Sequence, residues 1–372
     1  MTPSSPTRTE TRIRFWRSSS ISPKEYHRQK NIYFVLSILF QITFFLVAAS
    51  MDLSRVFHEP VYFVVLYAAL QTVLWPIRFL SGHRLERKYG LSKQTFASWS
   101  GDTLKGQVLG LAVFVAGAWL FYVALRHWPS DWWWILALAV FALSAFFSTV
   151  FPVWVLPLFY RSTPLAEPSL EERCRETLER CGLPPLPFFK LHLGQKTVRA
   201  NAALAGFGPT RRVLLADTLL SGYTCEEVQM VVAHEIGHHV RKHILRSLLF
   251  EFFLCLAGFF VLFEIWPTTA LNDPATFPVL MIVVTLANLL ALPGYNLLSR
   301  AHEKEADRFA LGIYPDGGTF KTLMEKLADQ NMADPEPSRW EEFVLYSHPS
   351  KRNRLRHAEN FLKSLAKSKA KA

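Results

Sequence analysis

Apolar residues in this chain arrive in long runs separated by short polar stretches. A bilayer core about 30 Å thick needs about 20 apolar residues in helical form. Runs of that kind cover Ile32–Ser50, Val61–Leu80, Gly106–Leu125, Trp132–Tyr160, Ser247–Trp266 and Phe277–Ser299. The alternative, buried core helices of a large soluble protein, does not account for several uncharged runs near 20 residues, so by length these runs predict six membrane spans. The fourth run is 29 residues long, about 43 Å as a straight helix. It is expected to tilt or to continue past the bilayer as a rigid link, with Pro152 and Pro157 near its end. Glu251 and Glu264 fall near the two ends of the fifth run. Membrane interfaces are their expected place, with the lining of a water-filled cavity as the alternative.

The spans divide the chain into a basic amino-terminal segment (1–31), four spans (32–160), a polar segment (161–246), two further spans (247–299) and a tail (300–372). The segment before the first span is polar and basic throughout, so no cleavable signal peptide is expected. Basic residues alternate between connections. Arg8, Arg12, Arg14, Arg17, Lys24, Arg28 and Lys30 precede the first span, and Arg78, Arg84, Arg87, Lys88, Lys93 and Lys105 lie around the second connection. The first connection has only Arg55, and Pro267–Ala275 has neither Lys nor Arg. By the positive-inside rule, both termini and both large polar parts then face the cytoplasm.

Composition narrows the classes further. Of 372 residues, 50% are hydrophobic and 19% charged, which excludes intrinsic disorder. Four cysteines without CxxC spacing are too few for a disulfide scaffold and are expected to be free thiols. The net charge of +11 is accounted for by loops beside the membrane, so no nucleic-acid partner is expected. The basic end KSLAKSKAKA reads as a solvated tail or a contact with lipid headgroups.

Two polar stretches carry the chemistry. The first, TCEEVQMVVAHEIGHHVRKHI, begins at Thr224. Thr224 and Glu227 have the spacing of a capping box, which predicts a helix start. Val228, Val231, Val232, Ile236 and Val240 give that helix an apolar face. His234 and His238, four residues apart, share another face and suit the grip of one metal ion. Glu235 lies one step round the helix, placed to act as general base rather than ligand. This is the HExxH arrangement of zinc peptidases. Taken alone it could also be a surface cluster of histidines, since His239 and His243 are close by.

A catalytic zinc site takes three protein ligands. SRAHEKEADRFAL follows the sixth run, and its Glu303, Ala306, Asp307 and Ala310 share one helical face. Glu303 would be the third ligand. Asp307, one turn on, could accept the N–H of a ligating histidine and fix its tautomer. Glu305 points away from Glu303 and reads as solvated.

With these residues in view, the chain resembles the type I CAAX prenyl proteases, integral-membrane zinc metallopeptidases of the gluzincin kind. The likeness rests on PLFYRSTPL at 157–165, NAALAGFGPTRRVLLADTLL at 201–220, HEIGHH, EKEAD and SHPSKRNRL at 347–355, in the family's order. The resemblance implies a mostly α, polytopic membrane protein. Its barrel of about six long transmembrane helices would enclose a chamber, capped by a cytoplasmic α+β zincin-type protease domain with a small edge-exposed sheet. It implies one zinc ion per chain on His234, His238 and Glu303, with Glu235 as base and Asp307 behind the ligands. By the same carry-over His348 would donate to the oxyanion, Arg354 would take the family's arginine position, and Asn201 and Ala202 would lie on an edge strand pairing with substrate. Two departures stand out. The family's eukaryotic members have seven spans against six here, and Ala203 is small where the family carries an aromatic.

The expected partners are a peptide or protein substrate, lipidated or membrane-bound, and the surrounding lipids, with no obligate protein partner. The expected setting is a bacterial inner membrane. There the alternative task is quality control of membrane proteins, as in the heat-shock membrane proteases, without CAAX specificity. An intramembrane protease is excluded because Glu226, Glu227, Arg241 and Lys242 flank the motif and are too charged for lipid. A non-catalytic membrane scaffold with a structural zinc would not need Glu235.

Overall fold

The computed structural model describes residues 22–370 apart from Phe207. The basic residues Arg8, Arg12, Arg14 and Arg17 lie outside the described residues. The chain is mostly helical with one small sheet. Numbered in chain order, with one-turn pieces left unlabelled, the membrane helices are α1 (Pro23–Met51), α2 (Glu59–Arg78), α3 (Phe96–His127) and α4 (Trp132–Val150). Two more follow the polar segment, α7 (His243–Ile265) and α8 (Phe277–Ile313). Among the described residues these six helices, with their continuations, are long and apolar enough to cross a membrane.

They close into a ring. Helix α1 packs on α2, α2 on α3, α3 on α4, α4 on α7, α7 on α8, and α8 back on α1. Large apolar side chains on these helices, such as Trp119, Phe253 and Leu290, are exposed, as suits helices whose apolar surroundings are lipid. At one end the ring is plugged by aromatics: Phe63, Tyr122, Trp132 and Phe277 pack together, all buried. At the other end it opens into a cavity of about 1310 Å³. Glu251 faces this cavity and accepts a hydrogen bond from Ser144 at 3.0 Å, so it takes the lining role. Glu264 is exposed at the far end of α7.

The fourth span does not continue as a straight rod. Helix α4 ends at Val150, and the chain widens into a π-wound turn over Phe151–Val155, then tightens over Leu156–Leu158. Pro152 and Pro157 sit in those two turns, each lacking the N–H that an α-helix would need and crowding the preceding turn. Helix α8, by contrast, passes Pro293 and runs 37 residues, well beyond the apolar stretch. Its last turns belong to the polar part.

That part is built on a four-stranded sheet of order β1-β2-β4-β3, from Ser162–Pro164, Phe188–Leu191, Ala202–Ala205 (β3) and Arg212–Ala216 (β4). Against it pack α5 (Pro168–Arg180) and α6 (Cys225–Val240), burying Cys174, Leu178, Val213, Leu215, Val228, Val232 and Ile236. Each such aliphatic side chain contributes about 1.5–3 kcal/mol on burial. Helices α9 (Gly317–Gln330), α10 (Arg339–Leu345) and α11 (Lys351–Lys369) complete the far side. All four cysteines are free thiols.

Candidate metal centre

Helix α6 begins as its sequence dictates. Thr224 accepts from the Glu227 N–H at 3.3 Å, and Glu227 accepts from the Thr224 N–H at 2.9 Å, closing a capping box. From that start, the 3.6-residue period turns Val228, Val232 and Ile236 into the core, each at most 1% exposed. His234 and His238 consequently face the cavity. Helix α6 crosses α8 where both helices are small. A β-carbon built on Gly237 would lie 3.1 Å from Ala306 Cα and 3.1 Å from Phe309 Cβ. This close crossing carries the carboxylate of Glu303 to the two imidazoles.

The three side chains each turn a ligand atom to a common point, all within 4.8 Å of one another. His234 Nε2 and His238 Nε2 are 3.1 Å apart. Glu303 Oε2 is 3.5 Å from His234 Nε2, and Glu303 Oε1 is 3.4 Å from His238 Nε2. A tetrahedral zinc ion with bonds of about 2.0–2.1 Å spaces its ligand atoms about 3.3–3.4 Å apart. The His-His-Glu set therefore fits zinc in chemistry and in spacing.

Behind the ligands stands a buried ion-pair layer. Asp307 Oδ1 lies 3.0 Å from His234 Nδ1. The Arg354 guanidinium grips Asp307 with two donors, at 2.9 and 2.5 Å, and its third nitrogen is 3.9 Å from Glu303 Oε2. His348 Nδ1 reaches Glu303 Oε2 at 3.1 Å while its side chain is 66% exposed. Burial works against charge on His234, yet the hydrogen bonds and charges of Asp307 and Glu303 outweigh it and push its pKa up to about 10 without metal. Glu235 lines the cavity. Burial raises its carboxyl above the usual range, with Glu303 adding to the rise and His234, His238 and Arg354 opposing it. Burial disfavours charge on Arg354, but Asp307 and Glu303 more than compensate, so it stays a cation.

The sheet edge meets the same cavity. Among the described residues strand β3 pairs with β4 alone, leaving its other side open, and Asn201, Ala202 and Leu204 line the cavity wall. The structure thus brings His234, Glu235, His238, Glu303, Asp307, His348, Arg354, Asn201 and Ala202 around one cavity. Glu305 differs from its sequence reading. It is not simply solvated: it receives Arg246 at 2.7 and 3.3 Å and lies 3.2 Å from His243 Nε2. His243 in turn contacts His238, a relation that the helical period of α6 does not contain because His243 starts the next helix.

A helical ring of membrane-spanning length, opening onto a His-His-Glu cluster with the carboxyl of Glu235 beside it, defines the class of membrane-embedded metallohydrolases. The comparisons with known proteins specify it. The family described as "Peptidase family M48" matches residues 164–362, and "CAAX prenyl protease N-terminal, five membrane helices" matches residues 26–161. The chain belongs to peptidase family M48 and is an integral, multi-pass membrane metallopeptidase of the CAAX prenyl protease type. It is 25% identical over 360 residues to the "Uncharacterized metalloprotease YhfN" of Bacillus subtilis, covering 90% of this chain and 84% of that protein. It is 27% identical over 324 residues to "CAAX prenyl protease 1" of Saccharomyces cerevisiae, covering 79% of this chain and 70% of that one. Its fold is that of the crystal structure of S. mikatae Ste24p, with a TM-score of 0.73, 22% identity and 94% of each chain covered. Within residues 26–161 four spanning helices are found, one fewer than the family description gives.

Proposed function

We propose that this chain is a one-zinc endopeptidase that cleaves extended peptides at the cytoplasmic face of the membrane, with zinc held by His234, His238 and Glu303. The observation that carries the reading is the closeness of the three ligands: the two Nε2 atoms are 3.1 Å apart, and each lies 3.4–3.5 Å from one carboxylate oxygen of Glu303. When bound, zinc supplies Lewis-acid polarisation of the scissile carbonyl and a water acidic enough to be activated near neutral pH. Glu235 receives a proton at its carboxylate and returns it to the departing amine. Its raised pKa suits a base that must also act as an acid. Asp307, 3.0 Å from His234 Nδ1, would draw the proton to that nitrogen and so leave Nε2 free to ligate, and Arg354 holds Asp307 ionised. His348, whose Nδ1 donates to Glu303, would donate from Nε2 to the developing oxyanion as the imidazolium, the form in which both ring nitrogens carry protons.

An extended substrate adds to the open edge of β3 beside Asn201 and Ala202, which selects unfolded chain more than sequence. Several relatives are named as CAAX prenyl proteases, which supports a lipidated carboxyl-terminal peptide as one substrate class. The pattern of Lys and Arg supports cytoplasmic termini and a cytoplasmic active site, and the likeness to a Bacillus subtilis protein along most of both chains supports a bacterial inner membrane. The decisive experiment is Glu235→Gln in the purified full-length chain. Cleavage of a peptide substrate should be lost while one zinc per chain is retained. Retained cleavage would reduce the site to a structural metal centre.

A further inference from the structure

The described mechanism accounts for Asp307 behind His234 but leaves His238 without an orienting group. His238 Nε2 faces His234 and Glu303, so in the zinc-ligating state Nε2 carries the lone pair and Nδ1 the proton. His238 Nδ1 lies 2.9 Å from His243 Nδ1. A protonated His238 Nδ1 requires His243 Nδ1 to accept, and the neutral His243 ring then carries its proton on Nε2. That nitrogen lies 3.2 Å from Glu305 Oε2, and Glu305 is held by the Arg246 guanidinium at 2.7 and 3.3 Å. Every link in this chain has a single donor assignment once Nε2 of His238 is the ligand.

The geometry around His243 is constrained on other sides as well. Its side chain is 4% exposed, and the ring stacks on His302 with centroids 4.1 Å apart and planes 8° from parallel. His302 is itself buried, directly before Glu303. His243 is placed by a chain break: Lys242 adopts the left-handed region at φ 54°, ending α6 and starting α7 with His243 as first residue. A continuous helix would carry position 243 about 140° round the axis from His238, away from the ligand face.

We propose that His243, Glu305 and Arg246 form a relay that orients His238, so that helix α8 supplies one ligand, Glu303, and the carboxylates fixing both ligating imidazoles. Asp307 acts on His234 directly, and Glu305 acts on His238 through His243. These are positioning residues, and the proposal rests on the zinc-peptidase reading of the site. Because His243 opens membrane helix α7 and Glu305 lies on α8, the relay ties the ligand geometry to the seating of two membrane helices against α6.

The test uses the full-length chain in detergent, with zinc affinity measured against a competing chelator and thermal midpoints taken for metal-free and zinc-loaded forms. His243→Ala should weaken zinc binding about 10–100-fold, and Glu305→Gln about tenfold, with metal-free midpoints close to wild type. His243→Asn, whose amide oxygen can still accept from His238 Nδ1, should recover most of the His243→Ala loss. Cobalt-substituted His243→Ala should show an altered visible spectrum, which a merely structural residue would not produce. If His243→Ala does not fold, His243→Asn and Glu305→Gln carry the test. Zinc affinity within about twofold of wild type in Glu305→Gln and His243→Ala overturns the relay while leaving the zinc-peptidase reading intact. A wild-type chain that binds no zinc overturns that reading, and the relay with it.

Discussion

Gly237 of α6 and Ala306 of α8 meet so closely that a β-carbon on the glycine would lie 3.1 Å from the alanine Cα. The contact sets the separation of the helix carrying both histidines from the helix carrying Glu303. Gly237→Ala should therefore read out at the metal more than in stability. Overpacking costs about 1–3 kcal/mol, and the helix-propensity gain of Ala over Gly, about 1 kcal/mol, offsets part of it. The net loss of stability should be about 1 kcal/mol, while zinc affinity falls roughly tenfold as Glu303 withdraws, an effect comparable to losing a group that orients a ligand. Chelator competition and thermal melts on the same preparation separate the two. Unchanged affinity with a higher midpoint would mean that the crossing is not what positions Glu303.

The imidazole of His234 makes a prediction about pH. Its folded pKa is raised from the ordinary 6.5 to about 10 by Asp307 and Glu303 acting against burial. A raised pKa means that the folded state holds the proton more tightly than the unfolded chain does. In the metal-free protein this stabilisation is complete below about pH 6.5 and is lost as pH rises through about 10. Zinc requires the neutral ring, so its affinity should climb over the same interval. Melting the chelator-treated protein against a His234→Gln variant checks it. The gap between their midpoints should shrink steadily from pH 6.5 to pH 10, and a gap that widens would contradict the assignment.

What the sequence could and could not disclose follows from how local each interaction is. His234, Glu235 and His238 were readable because their geometry is internal to one helix whose cap and apolar face are written in the same stretch. Glu303 became readable through the ligand count of zinc, which asks for a third group wherever the chain supplies one. His243 and Glu305 were not. Their meeting depends on Lys242 entering the left-handed region and on the crossing of α6 with α8, and neither leaves a periodic trace. Glu251 and the turn after Val150 show the same limit. A carboxylate near a span end reads as interfacial until the ring closes around it. Two prolines signal a break in an α-helix without telling how the chain rewinds.

His348 is mostly exposed yet reaches Glu303 through Nδ1, which leaves Nε2 for a second task. If Nε2 serves the oxyanion, His348→Ala should lower kcat about 10²–10³-fold, the usual effect of removing one such donor. KM and zinc content should hardly move. His348→Gln, which keeps an N–H donor at similar reach on a more flexible arm, should restore part of the rate. Should zinc content fall and the zinc-saturated rate stay normal, His348 would instead be a support for Glu303. Steady-state kinetics at saturating zinc, beside metal analysis, distinguish the two.

The open edge of β3 yields a prediction about substrate backbone. Ala216 N–H donates to the Asn201 carbonyl at 3.0 Å, which fixes the phase of the antiparallel ladder between β3 and β4. Residues 201 and 203 then bond inward to β4, and Ala202 and Leu204 turn their N–H and C=O groups to the open side. Both line the cavity that holds the metal ligands. Ala202→Pro deletes one outward donor without removing any bond of the β3–β4 ladder. One backbone hydrogen bond is worth about 1 kcal/mol net, so kcat/KM for an extended peptide should drop roughly fivefold. A comparable loss should follow from weakening the substrate carbonyl that accepts from the Ala202 N–H, as an ester oxygen in place of the following peptide N–H does, and combining the two changes should give less than the sum of the separate effects. Zinc content and the melting midpoint serve as controls for damage to the strand itself. Equal kcat/KM for wild type and Ala202→Pro, with both controls unchanged, would remove the sheet edge from the substrate path and leave the cavity wall to hold the peptide through side chains alone.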